Sequence, residues 1–124
     1  MNRTIATPNA PAAVGPYCQG KLAGNTLYAS GQLGLIPATG KLAEGIEGQA
    51  RQSLENLGAV LKEAGMDYSD VVKTTCYLAD IRDFAAFNAV YSEYFRGEVP
   101  ARSCFQVAAL PMGGLVEVEC IAVK

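Results

Sequence analysis

The chain contains no histidine and no tryptophan. The first absence excludes a Ser-His-Asp triad, a Cys-His pair and any imidazole-ligated zinc within the chain. Acid–base work then falls to Glu, Asp, Tyr, Lys, Cys or bound water. The second removes an indole stacking platform. Nor is there a run of basic residues: Lys and Arg number 10 against 12 Asp and Glu, for a net charge of −2. With a pI near 5.0, this lacks the electrostatic footprint of a nucleic-acid or anionic-membrane binder. No apolar stretch approaches the ~20 residues of a membrane span. "MNRTIATPNAPAAVG" is not a basic segment followed by an apolar one, so a cytosolic protein is expected. The four cysteines, Cys18, Cys76, Cys104 and Cys120, form no CxxC pair and are expected to be reduced packing residues.

What is present is the material of one ordinary soluble domain, residues 1–124, with half its residues hydrophobic and 18% charged. "RTIAT" (Arg3 to Thr7) predicts a short strand, followed by a Pro-rich loop. Tyr17 to Leu22 and Thr26 to Ser30 predict a hairpin turning at Gly24-Asn25. "GQLGLIPATGKLAEG" reads as a long loop, and loops of that length tend to be functional or disordered. Ile46, Ala50, Leu54, Leu57, Leu61 and Ala64 recur at helical spacing, with Gly65 as terminator. Asp70 to Ala79 is β-branched and predicts a strand. A second helix carries a Phe84, Phe87, Tyr91, Tyr94 and Phe95 stripe, with Asp83 as N-cap and Gly97 as its end. "RSCFQVA" and "LVEVECIAV" complete the order βββ-α-β-α-ββ as two strands joined by "ALPMGG". The pattern predicts an α+β fold, a single mixed sheet with two helices on one face. On the last strand Val116, Val118, Cys120 and Ala122 share one side, and Leu115, Glu117, Glu119, Ile121 and Val123 the other. Apolar residues on both sides imply that the uncovered face meets a partner, hence a homo-oligomer.

Arg102 is out of place in this frame. It alternates with Cys104 and Gln106 on one side of a strand that otherwise reads as core. Glu117 and Glu119 lie in the strand expected to hairpin back onto it. Two roles are open: a structural Arg–Glu pair, the commoner arrangement, or a fork for a substrate carboxylate with a glutamate as nearby base.

The sequence resembles the RidA, or YjgF-type, family of enamine/imine deaminases over essentially its whole length. The segments that carry the likeness are "IATPNAPAAVGPYCQG", "SGQ" (Ser30 to Gln32), "QARQSLENL", "VVKTT", "DFAAFNAVY", "PARSC" and "LVEVECIAV". The resemblance implies a chorismate-mutase-like α+β fold and a homotrimer with clefts between subunits. Those clefts take small 2-imino or 2-oxo acids, and neither metal nor cofactor is involved. The implied reaction hydrolyses imines released by pyridoxal-phosphate dehydratases to 2-keto acids and ammonia. By the same likeness Arg102 grips the carboxylate, Cys104 lines the pocket and Glu117 positions the attacking water. Tyr17, Ser30, Gly31, Phe87 and Asn88 line the cleft. "GQLGLIP" and "FQVAALPMGG" depart from the family's pattern, which bears on pocket shape and substrate size. A non-catalytic trimer binding small carboxylates is the alternative, and a ribonuclease or translation inhibitor, a label some relatives have carried, is the least favoured.

Overall fold

The computed structural model describes residues 2–124. Its strands are β1 (Asn2–Ile5), β2 (Gly20–Ala23), β3 (Thr26–Leu33), β4 (Val71–Leu78), β5 (Ala101–Gln106) and β6 (Val116–Val123). The helices are α1 (Gly45–Glu63) and α2 (Phe84–Tyr94). The strands form one six-stranded sheet in the order β1-β2-β3-β6-β4-β5, antiparallel except for the β4–β5 pair. Among the described residues no helix is long and apolar enough to cross a membrane.

Both helices cover one face. Ala50, Leu54, Leu57 and Leu61 of α1 are fully buried, as are Val116, Val118 and Ala122 of β6. These side chains and Phe87 of α2 belong to one core cluster. Burying a side chain of this size contributes roughly 1.5–3 kcal/mol. The predicted α1 stripe is thus the core seam, except that Ile46 and Ala64 at its ends are only partly buried. A bidentate Arg51–Glu93 pair and a hydrogen bond from Tyr94 to Glu55 tie the outer sides of the helices together.

Three polar residues on the buried side of α1 have a separate task. The Ser53 hydroxyl donates to the carbonyl of Gln32, the Asn56 amide donates to the carbonyls of Leu33 and Leu35, and Gln49 accepts from the amide of Leu115. A register shift between Ala29 and Gln32 interrupts the β3–β6 ladder. The helix supplies partners that the end of β3 and its exit segment would otherwise lack. Gly34 permits the approach, since a Cβ there would lie 2.5 Å from the Gln49 carbonyl oxygen.

Several sequence expectations need correction. β3 runs on through Gly31, Gln32 and Leu33, where the sequence pattern predicts a loop. β1 starts and ends earlier than Arg3 to Thr7, and Tyr17 to Gln19 precede β2 instead of forming its arm. Asp83 makes no capping hydrogen bond. Asp80 takes that role one turn earlier, accepting from the amide of Arg82. Most consequentially, β5 and β6 are not a hairpin. The α2 crossover makes β5 parallel to β4, as such connections do, and leaves it on the sheet edge, while β6 inserts between β3 and β4.

The uncovered face carries large apolar and aromatic side chains among Lys73, Glu117 and Glu119. Register pairs Tyr28 with Ile121 and Tyr77 with both Phe105 and Glu117. Tyr28 is 52% and Phe105 44% exposed, and Phe105 packs edge-on against Tyr77.

Candidate active site

β5 places Arg102 and Cys104 on the helix-covered side, because their register partners Thr74 and Cys76 are fully buried there. The guanidinium lies over a shelf of α2 aromatics. Its central carbon is 4.8 Å from the ring centre of Tyr91, 5.5 Å from Phe84 and 6.0 Å from Phe87. One nitrogen donates to Asn88 Oδ1 at 2.8 Å, and Tyr91 is fixed in turn by a 2.7 Å hydrogen bond with Thr74. Among the described residues no carboxylate pairs with Arg102. The ion pairs among the described residues are Arg51–Glu93 and Arg82–Asp80. The structural Arg–Glu pair is therefore not formed, because Glu117 and Glu119 stand on the other face of the sheet. Cation–π contact holds the guanidinium in place without consuming its remaining N–H donors.

Cys104 is half-buried beside Arg102. Burial pushes its thiol up, against the opposing pull of the guanidinium, so the group stays protonated near neutrality. Phe87 is fully buried and forms the floor under Arg102, not an open cleft wall. Asn88 orients the arginine through its side-chain oxygen.

Glu117 belongs to a second constellation on the uncovered face. Gly31 of β3 lies directly against it: a Cβ at Gly31 would sit 2.8 Å from Glu117 Cδ. The missing side chain is what allows the carboxylate to lie here. Tyr17, Leu33, Leu35 and Met112 join Gly31 and Glu117 around a cleft of about 430 Å³. Burial raises the Glu117 carboxyl above its ordinary value, and the neighbouring charge of Glu119 adds to this. Glu119 itself accepts a 2.7 Å hydrogen bond from Tyr77 and does not line the cleft.

Ser30 does not offer its hydroxyl to the cleft. It donates to the carbonyl of Cys18 at 2.6 Å and its amide donates to the carbonyl of Gln19, so it anchors the segment carrying Tyr17. Gln19 is buried and clasps that segment further, exchanging hydrogen bonds with Thr7 and donating to the carbonyls of Ala10 and Pro11. Neither Gln19 nor Met112 was singled out from the sequence. Gln19 falls in a stretch that reads as a hairpin arm, and Met112 in one that reads as a connection between strands.

In a single copy, then, Arg102 and Glu117 occupy opposite faces of one sheet. The family model for Endoribonuclease L-PSP matches residues 7–124. The chain belongs to this family. It is the RidA (YjgF-type) family of the sequence resemblance. A Capra hircus protein named 2-iminobutanoate/2-iminopropanoate deaminase is 54% identical over 100% of this chain and 91% of its own length. Among solved structures, RidA from a Psychrobacter species superposes with a TM-score of 0.96 at 48% identity, covering 98% of this chain and 99% of that one. E. coli TdcF with bound serine gives 0.95 at 42% identity, covering 98% of each.

Proposed function

We propose that the protein hydrolyses 2-imino acids to 2-oxo acids and ammonia, at clefts completed between copies of the chain in a homotrimer. The observation that carries this is Arg102: a guanidinium held on aromatics with no acidic partner, as a carboxylate clamp requires. The relatives named as deaminases support the reaction class.

A protonated imine carbon is already electrophilic, so the protein's task is to hold the substrate and deliver water. Arg102 grips the carboxylate through its planar fork. Glu117 accepts a proton as a water oxygen bonds to C2. The tetrahedral intermediate then takes a proton on nitrogen from the Glu117 carboxyl, the C–N bond breaks with its electron pair leaving on ammonia, and the hydroxyl proton passes to the Glu117 carboxylate and on to ammonia as the carbonyl of the 2-oxo acid forms. A carboxylate whose proton affinity is raised toward the working pH suits this double role, worth roughly 10²–10⁴-fold. Cys104 and Asn88 flank the clamp, and Tyr17 and Gly31 border the water side. This chemistry calls for neither metal nor cofactor.

In the proposed trimer Arg102, on the edge strand β5 of one copy, reaches around that edge to Glu117 on the uncovered face of a neighbour. A trimer reconciles the two faces with one reaction. Four free thiols suit a reducing compartment, and we place the protein in the cytoplasm. The acidic net charge gives no purchase for nucleic acid.

The test couples purified protein to a threonine dehydratase and follows loss of the imine. Accelerated loss without added metal supports the assignment. No acceleration, with 2-oxobutanoate still bound, would replace it by a carboxylate-binding role.

A further inference from the structure

Cys76 of β4 and Cys104 of β5 are direct register partners in the parallel ladder. Both side chains lie on the helix-covered side, and each thiol is within hydrogen-bonding reach of the other. Cys76 is fully buried, whereas Cys104 is half-buried beside Arg102, where the carboxylate is proposed to bind. A site that admits a small acid also admits hydrogen peroxide, a smaller molecule. One thiol is thus within reach of an oxidant, and its partner is shielded behind it.

Neighbouring strands lie about 4.8 Å apart, inside the Cα separation of roughly 4.4–6.8 Å that a disulfide spans. The Cβ separation in a disulfide is shorter, about 3.8 Å. Bridging the pair therefore draws β5 toward β4 by on the order of 1 Å at Cys104. Within one copy β5 is the sheet edge and pairs on one side only, so it is the strand that gives. Arg102 lies two residues away on the same face, opposite Thr74, whose hydroxyl fixes Tyr91 beneath the guanidinium. A shift of β5 against β4 moves the guanidinium relative to that ring and to Asn88. Misplacing a binding group by about 1 Å can cost on the order of 10²-fold.

We infer that Cys104 and Cys76 are a redox-active thiol pair: peroxide oxidises Cys104, Cys76 closes a disulfide onto it, and the bridge reversibly draws Arg102 out of its carboxylate-binding position. The Cys104 sulfur, as thiolate, bonds to one peroxide oxygen. The O–O bond breaks and hydroxide leaves, giving a sulfenic acid. The Cys76 sulfur then bonds to the Cys104 sulfur, the S–O bond breaks, and the hydroxyl departs as water with the Cys76 proton. The two thiols supply two electrons, and one hydrogen peroxide becomes two waters. Burial raises both thiols, Cys76 to about 12, and at Cys104 the Arg102 guanidinium is the main opposing influence. Cys104 is therefore the thiol that reacts first. Both stay protonated near neutrality, so the pair answers sustained peroxide and not traces of it.

Purified protein is held in excess hydrogen peroxide and then treated with dithiothreitol. Calorimetry measures affinity for 2-oxobutanoate, and the dehydratase-coupled assay measures turnover. Mass spectrometry maps the cysteines after digestion with trypsin and a glutamate-specific protease, which cuts between Cys104 and Cys120 at Glu117 and Glu119. Cys76→Val replaces a buried thiol outside the proposed site by an apolar side chain of similar volume, so its melting and untreated turnover should match the wild type's. In oxidised wild type the Cys76 and Cys104 peptides should be joined. Affinity and kcat/KM should each fall by about tenfold or more, and dithiothreitol should restore both. In Cys76→Val no joined peptide forms. Cys104 oxidises onward to the sulfinic acid there, and dithiothreitol does not restore what is lost. Unjoined peptides in oxidised wild type, a bridge to Cys18 or Cys120 instead, or a joined protein of undiminished affinity overturns the inference. So does a Cys76→Val protein that loses and regains affinity as the wild type does. The effect on turnover rests on the proposed reaction, whereas the bridge and the loss of binding do not. If untreated protein binds 2-oxobutanoate but hydrolyses no imine, the deaminase assignment falls, and the thiol pair is decided by the bridge and the affinity.

Discussion

The guanidinium carbon of Arg102 lies 4.8 Å from the ring centre of Tyr91, on the far side of the sheet from both glutamates of β6. That contact, with the Asn88 hydrogen bond, orients the side chain while leaving donors for a ligand. Arg102→Lys keeps the charge and loses the planar fork. A cation–π contact at a partly exposed position is worth about 0.5–1 kcal/mol, so the fold should survive the change. We expect Arg102→Lys and Arg102→Ala to melt within a few degrees of wild type and to lose imine hydrolysis by about 10²-fold or more. Wild-type turnover in Arg102→Lys would take the arginine out of the reaction. Collapsed melting in both variants would make it structural.

Placing Arg102 and Glu117 on opposite faces gives a sharper test. If each reaction site combines Arg102 of one copy with Glu117 of another, two inactive variants must complement each other. Arg102→Ala and Glu117→Gln, unfolded together and refolded as mixed trimers, should regain about a quarter of wild-type activity, the random share of interfaces with both residues intact. A site built within one chain would regain nothing, because every subunit carries a lesion.

These positions show how far the sequence could be read. The α1 seam was legible because Ala50, Leu54, Leu57 and Leu61 repeat at helical spacing. Gln49, Ser53 and Asn56 interrupt the same buried side, and their partners exist only once the bulged end of β3 arrives beneath them. Tyr91 and Phe87 were correctly placed on one stripe, yet nothing local to α2 tells that β5 will slide an arginine across it. The hairpin expected of β5 and β6 failed for a related reason. Adjacency in the chain favours pairing, but the α2 crossover commits β5 to the parallel edge beside β4, and the place between β3 and β4 then falls to β6. Arg102, Cys104 and Glu117 could be named, but not the two faces that separate them. The left-handed backbone of Met112 has no sequence signature beyond a turn-prone Pro-Met-Gly.

The Glu117 carboxyl makes a signed prediction about pH. Burial, then Glu119, raises its proton affinity in the folded state. As the base it must be ionised, so activity should fall with acid along a limb lying above the ordinary glutamate value of about 4.3. Stability runs the other way. Between the unfolded and the folded pKa the native state binds more protons than the unfolded chain, so this group lowers stability as pH rises through that window. Glu117→Gln removes the effect. It should melt higher than wild type at neutral pH, with the gap closing as pH drops through the Glu117 titration. Above that limb Glu117→Gln should lose roughly 10²–10⁴-fold of activity, and the deficit should narrow in acid as the wild-type carboxylate is protonated. A gap that is absent, or that widens in acid, contradicts the burial argument.

The uncovered face supplies the last test, of assembly. Tyr28 and Phe105 are 52% and 44% exposed there, beside the half-buried Ile121 and Tyr77. An apolar sheet face of this kind is unstable against water and is buried by association. Ile121→Asp introduces a charge near its middle, opposite Tyr28 in the β3–β6 register. The helix-covered core does not include this side chain, so secondary structure should persist while the trimer dissociates. A buried unpaired carboxylate is costly enough to oppose reassembly at micromolar concentration. Light scattering should then report a monomer for Ile121→Asp and a trimer for wild type. Imine hydrolysis should vanish with the trimer, because Arg102 of one copy no longer reaches Glu117 of another. A folded monomer with wild-type turnover would place the entire reaction within a single chain and refute the inter-subunit site.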